Sequence, residues 1–206
     1  MKTILLTSAG MNMKEEILKI LPKPAEQIKL AHITTASKVE ADTSWVQDEV
    51  DEMEKLGFQV EEIDIADMSE DALRGALTDK DIVYVQGGNT FYLLKHVRES
   101  GFDTIIKELI EKGVIYVGVS AGSIIAGPTI ETAAWKAEYA DPNDVNLTDL
   151  TGMNLVDFNV FVHYAEKYKE SVATESTKSN YPVKILTDEQ AILIRDGKVE
   201  FLENKK

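Results

Sequence analysis

The sequence contains no cysteine among its 206 residues. This absence excludes disulfide frameworks, zinc–thiolate sites and every mechanism that uses a cysteine nucleophile. A chain of this length buries about 70% of its unfolded surface, so it needs no covalent or metal support for its fold. The three histidines, His32, His96 and His163, are scattered without a His-x-x-x-His spacing. We therefore expect no zinc site.

Long apolar runs and positive charge are also scarce. The first apolar run ends at Leu6, whereas a signal-peptide core needs about 7–15 residues, and no stretch approaches the roughly 20 residues of a membrane helix. The 22 basic residues against 36 acidic ones give a net charge of −14, which argues against nucleic acid or an anionic membrane as the main partner. We expect a cytoplasmic protein with one domain over residues 1–206. Its oligomeric state stays open, with a homodimer among the alternatives.

Short β-branched runs alternate with longer amphipathic runs up to residue 127. The predicted strands are 3–6, 29–34, 58–65 (near a sheet edge), 81–85 and 114–119, and the predicted helices are 13–21, 42–56, 69–77, 90–99 and 102–111. This alternation predicts an α/β fold with a parallel sheet and helices on both faces. The rest of the chain predicts a loop-rich segment over 131–152, a strand over 155–161, a helix over 165–178 and an antiparallel hairpin within 183–202, turning at Asp196-Gly197.

The strongest local motif is Gly118-Val119-Ser120-Ala121-Gly122, between an apolar strand and the start of a helix. This is the context of a nucleophile elbow, where a strained serine needs small neighbours and presents its Oγ at the carboxyl end of the sheet. The amide of Ala121, at the helix N-terminus, is suited to receive a developing oxyanion. The motif favours a nucleophilic serine over a plain structural turn.

A second turn, Gln86-Gly87-Gly88-Asn89-Thr90, follows the other buried strand. It matches neither the dinucleotide fingerprint nor the phosphate loop, and taken alone it is a tight turn whose Asn89 or Thr90 caps the next helix. Because ligands bind at the carboxyl edge of parallel sheets, we expect this turn to face the elbow. Gly88 would then supply a second oxyanion amide, with Gly87 and Asn89 beside the substrate.

A serine nucleophile needs a base, and His163 is the best candidate because it follows a predicted strand at the edge where the elbow lies. His32 is predicted to be a core or edge residue with its hydrogen bonds satisfied, and His96 to lie on a solvated helix face. The acid that orients the base stays open on these grounds, because an acidic chain offers many carboxylates. The candidates are Glu131, Glu138, Asp157, Glu166, Asp188 and Glu189.

These motifs, together with Ala126-Gly127-Pro128-Thr129-Ile130, resemble the peptidase E, or aspartyl dipeptidase, family of serine peptidases (peptidase family S51), to which cyanophycinase is more distantly related. The resemblance implies a three-layer flavodoxin-like fold of the class I glutamine-amidotransferase type. It also implies hydrolysis of small peptides by a serine, a histidine and a glutamate in chain order, with neither a metal nor an organic cofactor. The matching positions are Ser120, His163 and Glu189. Another acid proposed for the family falls on Trp135, which cannot serve, so Glu131 is the second choice.

Two further observations bear on the reaction and its specificity. The related amidotransferases use a cysteine at the elbow, so glutaminase activity is not expected here. Family members that cleave after an N-terminal aspartate use an arginine downstream of the histidine, and this chain has no arginine between Arg98 and Arg195. The lysines available instead, Lys167, Lys169 and Lys178, lack the planar fork of arginine. We expect aspartate in the first position to be favoured only weakly.

Two other functions remain as alternatives at this point. A non-catalytic module could bind a small ligand on the same scaffold, but it would have no reason to keep the serine–histidine pair. An esterase could use the same triad, and it would turn over esters without turning over peptides.

Overall fold

The structure is a computed structural model that describes residues 1–136 and 140–204. Within those residues the chain forms nine strands and seven α-helices. The strands are β1 (Thr3–Thr7), β2 (Lys29–Ile33), β3 (Gln59–Ile63), β4 (Ile82–Val85), β5 (Ile115–Val119), β6 (Asn159–Phe161), β7 (Val183–Ile185), β8 (Gln190–Arg195) and β9 (Lys198–Glu203). The helices are α1 (Lys14–Lys19), α2 (Ser44–Lys55), α3 (Glu70–Leu77), α4 (Thr90–Glu99), α5 (Phe102–Glu111), α6 (Ala121–Ile124) and α7 (Lys169–Ser176).

Seven of the strands form one sheet in the order β3-β2-β4-β5-β1-β8-β9. The first five run parallel, whereas β8 runs antiparallel to β1 and β9 antiparallel to β8. Asp196 and Gly197 both take positive φ in the turn between β8 and β9, as a tight hairpin requires. The predicted α/β fold with an antiparallel hairpin at its end is confirmed, and β3 lies at the sheet edge as predicted.

The central strands are buried on both faces, and successive residues point to opposite layers. In β1, Ile4 and Leu6 join the apolar core that includes residues of α3, α4 and α5, whereas Leu5 joins the core that includes Ile17 of α1 and Met53 of α2. The nearly continuous apolar runs in the sequence follow from this two-sided burial.

The chain after residue 127 departs most from the sequence prediction. The strand predicted over 155–161 is only three residues long, and it pairs in parallel with β7 in a separate two-stranded sheet. The predicted helix over 165–178 is a 3₁₀ turn, Glu166–Tyr168, followed by α7. A small apolar cluster of Trp135, Phe161 and Val172 joins these pieces. Glu138, one of the candidate acids, lies outside the described residues.

Two other predictions need correction. The helix predicted over 13–21 is shorter, with a 3₁₀ turn over Gly10–Met13 before α1. His96 is only 7% exposed and not solvated, because α4 contacts α5, α6 and the 3₁₀ turn Thr35–Val39. Its ring packs on Tyr92, with the ring centroids 4.4 Å apart. His32 is fully buried as predicted, but neither nitrogen of its ring has a hydrogen-bond partner among the described residues, so the expectation that its hydrogen bonds are satisfied is wrong. None of the helices in the described ranges is long and apolar enough to cross a membrane.

Candidate active site

The elbow is built by the tight passage from β5 into α6. Ser120 takes φ +47° and ψ −109°, a backbone conformation that a residue with a side chain rarely adopts. The flanking glycines are needed for space. A Cβ built on Gly122 would lie 2.1 Å from the carbonyl oxygen of Val85, and one built on Gly118 would lie 2.6 Å from the carbonyl oxygen of Gly122. The strain and the small neighbours are those of a nucleophile elbow.

His163 lies against this serine. It follows β6 by two residues, and its Nε2 lies 2.9 Å from Oγ of Ser120. His163 also takes a positive φ of +54°, and its backbone N–H donates to Oγ of Ser8 at 2.7 Å. The hydroxyl of Ser8, just after β1, therefore holds the histidine backbone in its strained conformation.

Asp188 lies on the other side of the imidazole. Its Oδ1 is 2.6 Å from Nδ1 of His163 and accepts a hydrogen bond from the Ser8 hydroxyl at 2.7 Å. The hydrogen bond with His163, reinforced by the one from Ser8, lowers the pKa of the Asp188 carboxyl to about 2, although partial burial opposes this shift. The carboxylate is therefore ionised at neutral pH. An ionised partner at Nδ1 favours the tautomer whose Nε2 accepts the proton of Ser120.

Glu189 was expected at this position from the sequence, whereas in the structure it is Asp188 that contacts the His163 ring. The two residues occupy the middle of a tight turn closed by the N–H of Gln190 donating to Thr187 O at 3.1 Å. Consecutive side chains of such a turn diverge, so Asp188 faces His163 while Glu189 Oε2 lies 3.5 Å from Nδ2 of Asn204, next to the end of β9.

Two other positions considered for the acid, Glu131 and Trp135, have partners of their own. Glu131 accepts hydrogen bonds from Asn159, at 2.7 Å, and from Ser179. The ring of Trp135 stacks on the ring of Phe161, with the ring centroids 6.3 Å apart. Neither position contacts the His163 ring in the described hydrogen bonds and ring contacts.

The glycine turn after β4 lies beside the elbow. A Cβ on Gly87 would be 3.0 Å from Cβ of Ser120. Gly88 takes φ +125°, and a Cβ built on it would lie 2.3 Å from the carbonyl oxygen of Ala36. The N–H of Gly87 donates to the side chain of Gln86 at 2.8 Å. In the described hydrogen bonds, the N–H groups of Gly88 and Ala121 have no protein acceptor. These two amides are free to receive a ligand oxygen.

Asn89 has a structural role that the sequence also predicted. Its Oδ1 accepts from the N–H of Tyr92 at 2.8 Å and so caps α4, and its Nδ2 donates to the carbonyl oxygen of Pro142. Both ends of the amide are thus engaged by the protein, and a direct contact of Asn89 with substrate stays a prediction.

A cavity of about 310 Å³ opens at Ser120. Its lining includes Ser8, Trp45, Glu49, Gln86, Ser120 and His163. Glu49 reaches it from α2, and its carboxylate accepts hydrogen bonds from Tyr84 Oη at 2.8 Å and Gln86 Nε2 at 2.6 Å. The larger surface pocket near Tyr181 and Val199 is far less suited to this chemistry, because it contains neither the serine nor the histidine.

The lysines considered as substitutes for the missing arginine do not line this cavity. Lys169 and Lys178 pair with Glu166 and Glu175 on the surface, and Lys167 Nζ lies 4.9 Å from the ring centroid of Tyr168. Nor do the described residues contain a group of three or more histidine and acidic side chains arranged to hold a metal ion.

Lys136 is nearer to the site, with its Nζ 5.7 Å from the ring centroid of Phe161. Burial lowers the pKa of its ammonium, whereas the charges of Asp141 and Asp188 raise it. The positive charge of Lys136 therefore interacts with the Asp141 and Asp188 carboxylates of the protein itself.

An α/β sheet with a strained serine at its carboxyl edge and a histidine beside it defines the class of protein, a hydrolase-type α/β fold with a nucleophile elbow. The model of peptidase family S51 matches residues 4–202, and the chain belongs to this family of serine peptidases. The resemblance drawn from the sequence motifs is thereby confirmed.

The relatives agree with this membership. An uncharacterised peptidase of Listeria innocua is 37% identical over 172 residues, covering 81% of this chain and 80% of the relative. Peptidase E of Escherichia coli is 36% identical over 98 residues, which is 46% of this chain and 39% of that protein. The crystal structure of a peptidase E-type protein from Listeria monocytogenes superposes with a TM-score of 0.85 at 32% identity, covering 98% of both chains.

Sequence reasoning missed two residues of the site, Ser8 and Glu49, and did not single out a third, Asp188. Ser8 follows β1, whose carboxyl end neighbours that of β5, and this adjacency was the available signal. Asp188 was among the candidate acids but could not be separated from Glu189 without the turn geometry. Glu49 carried no signal, because it lies in the middle of an amphipathic helix rich in acidic residues.

Proposed function

We propose that this protein hydrolyses short peptides, with Ser120 as nucleophile, His163 as general base and then general acid, and Asp188 as the orienting carboxylate. One observation carries the proposal. Two hydrogen-bond distances, 2.9 Å from Ser120 Oγ to His163 Nε2 and 2.6 Å from His163 Nδ1 to Asp188 Oδ1, link the three side chains in the order that a serine peptidase needs. Membership of peptidase family S51 supports peptide bonds as the substrate.

The chemistry follows from these contacts. Ser120 Oγ attacks the peptide carbonyl carbon while its proton passes to Nε2 of His163, and the resulting imidazolium is stabilised by the ionised Asp188. The free amides of Gly88 and Ala121 donate to the oxyanion of the tetrahedral intermediate. His163 then gives the proton to the leaving amine, and an acyl group remains on Ser120. A water molecule, deprotonated by the same histidine, hydrolyses this ester and regenerates the serine.

The test is hydrolysis of a library of dipeptides with varied first residues by the wild type and the Ser120→Ala variant. Loss of a triad nucleophile lowers turnover by a factor on the order of 10⁶. Ser123→Ala is a matched control, because Ser123 is a buried serine in the same turn whose hydroxyl donates to the carbonyl oxygens of Thr7 and Gly118. We expect this control to lose stability but to keep turnover within about tenfold of wild type.

Retention of more than a few per cent of activity by Ser120→Ala would contradict the serine mechanism. A p-nitrophenyl ester assayed in parallel separates an esterase, which would turn over the ester and no member of the dipeptide library. A binding module would turn over neither.

A further inference from the structure

The cavity at Ser120 carries a negative charge. Among the described residues that line it, Glu49 is the one acidic side chain, and no lysine or arginine lines it. Within the described residues no lysine, arginine or histidine nitrogen lies within 4 Å of the Glu49 carboxylate, although other acidic residues of α2 do pair, as Glu52 does with Lys14. A partly buried carboxylate without a protein cation favours a cationic ligand.

The carboxylate is fixed in place by the fold. Tyr84 and Gln86 both donate to Oε2, and the N–H of Met11 donates to Oε1 at 3.2 Å. Burial and the neighbouring Glu49 charge raise the pKa of Tyr84 well above its ordinary value, so its hydroxyl keeps the proton that it donates. A carboxylate offers about four acceptor positions, and three are used here, so Oε1 can accept one more donor.

Gly10 makes this arrangement possible. A Cβ at this position would lie 2.1 Å from Tyr84 Oη and 2.2 Å from Glu49 Oε1, so no larger residue leaves room for the pair. Gln86 connects the carboxylate to the catalytic turn, because its Nε2 donates to Glu49 while its Oε1 accepts from the N–H of Gly87. The carboxylate is therefore positioned relative to the residues that would bind the scissile carbonyl.

Trp45 lies one helical turn before Glu49 on α2 and lines the same cavity. Its indole N–H donates to the carbonyl oxygen of Asp42, which fixes the ring. An indole ring near a carboxylate is a common way to bind an organic cation, because the ring face attracts positive charge.

We propose that Glu49 and Trp45 form a subsite for a cationic group of the substrate residue whose carbonyl is attacked by Ser120. This inference rests on the proposed peptidase function and adds the substrate class, a peptide with a cationic group on the residue whose carbonyl is attacked. The cation is either the free α-ammonium of a substrate cleaved after its first residue, or the side chain of a lysine or arginine at that position. A cavity of about 310 Å³ accommodates one residue, so both sources fit.

The experiment measures kcat/KM for matched substrate pairs that differ by one positive charge. Ala-Leu against N-acetyl-Ala-Leu isolates the α-ammonium, and N-acetyl-Lys-Leu against N-acetyl-norleucyl-Leu isolates the side chain. We expect the cationic member of at least one pair to be favoured about tenfold or more by the wild type, as for a charge-assisted contact. In Glu49→Gln this ratio should fall below about threefold.

Glu54→Gln is the matched control, because it makes the same change of charge at an exposed position of α2. We expect it to keep the wild-type ratio. Each ratio compares two substrates within one variant, so a partly unfolded sample does not alter it. The pair that responds to Glu49→Gln identifies the source of the cation.

An unchanged ratio in Glu49→Gln, or a wild type that favours neither cationic member by more than about threefold, overturns the subsite. If Glu49→Gln proves inactive, Trp45→Leu replaces it, and an unchanged ratio there likewise overturns the proposal. Labelling of wild-type Ser120 by a neutral fluorophosphonate keeps the two proposals apart. Labelling and peptide turnover without a cation preference contradict the subsite alone, whereas absence of both contradicts the proposed function.

Discussion

Ser120 and His163 both hold positive φ, although neither is a glycine. Such conformations cost about 1–3 kcal/mol each and persist only where the surroundings fix them. Here the surroundings are a Ser8 hydroxyl that accepts the His163 N–H and two glycines whose missing side chains allow the backbone to pack closely on both sides of Ser120. The strain at Ser120 was predictable from its small neighbours. The strain at His163 was not, because its stabilising partner is 155 residues away in the chain.

His32 is a residue whose fully buried ring has no hydrogen-bond partner for either nitrogen among the described residues. Burial lowers its pKa from the ordinary 6.5 to about 4, with the Lys38 charge acting in the same direction. Its protonation therefore favours the unfolded state. Above pH 6.5 both states are neutral and the residue adds no pH dependence, whereas between 6.5 and about 4 the unfolded state binds the proton first.

We predict that the free energy of unfolding falls by about 3 kcal/mol from this source as the pH drops from 6.5 to about 4. His32→Leu should lack this part of the pH dependence. The measurement is denaturant unfolding of both proteins at several pH values, and the difference between them cancels the effect of the carboxylates. Parallel curves for the two proteins over this range would contradict the prediction.

At the scale of elements, the sequence predicted the parallel strands and the bounds of α4 and α5 closely, because each has an apolar pattern with a clear start and stop. Ser69 caps α3 by accepting from the N–H of Ala72. The prediction was poorest after residue 127. There β6 and β7 are three residues each and pair with each other outside the main sheet, so their pattern is too short to separate from a loop.

The elbow gives a prediction at this scale. Gly122→Ala should lower stability by about 1–3 kcal/mol and reduce turnover, because the added methyl must displace the Val85 carbonyl from 2.1 Å and so move α6 away from β4. Gly75→Ala is the control. Gly75 lies exposed within α3 with nothing near its Cβ position, so alanine there should raise stability by about 0.5–1 kcal/mol.

Thermal unfolding and dipeptide turnover of the two variants check this pair. A Gly122→Ala protein as stable and as active as wild type would contradict the prediction. It would show that the turn can relax and that neither stability nor turnover depends on the close packing of the elbow.

At the scale of the whole molecule, the topology of the main sheet brings three distant segments of the site, those of Ser8, Ser120 and Asp188, to one edge. Ser8 and Ser120 follow the neighbouring parallel strands β1 and β5. Because β8 runs antiparallel to β1, with Thr7 opposite Ala191, the turn before β8 reaches the same edge. The sequence therefore predicted the region of the acid, but the choice between Asp188 and Glu189 depends on side-chain directions in a single turn. Periodicity and family motifs carry no information on those directions.

The central claim is that Ser120, His163 and Asp188 act as one catalytic unit, and the most direct test compares Asp188→Asn with Glu189→Gln. Asp188→Asn removes the ionised partner of His163 Nδ1 and should lower kcat by a factor on the order of 10⁴. Glu189→Gln, an amide substitution at the next residue, should stay within several-fold of wild type. A larger loss in Glu189→Gln than in Asp188→Asn, measured as kcat on the same dipeptide, would contradict the account.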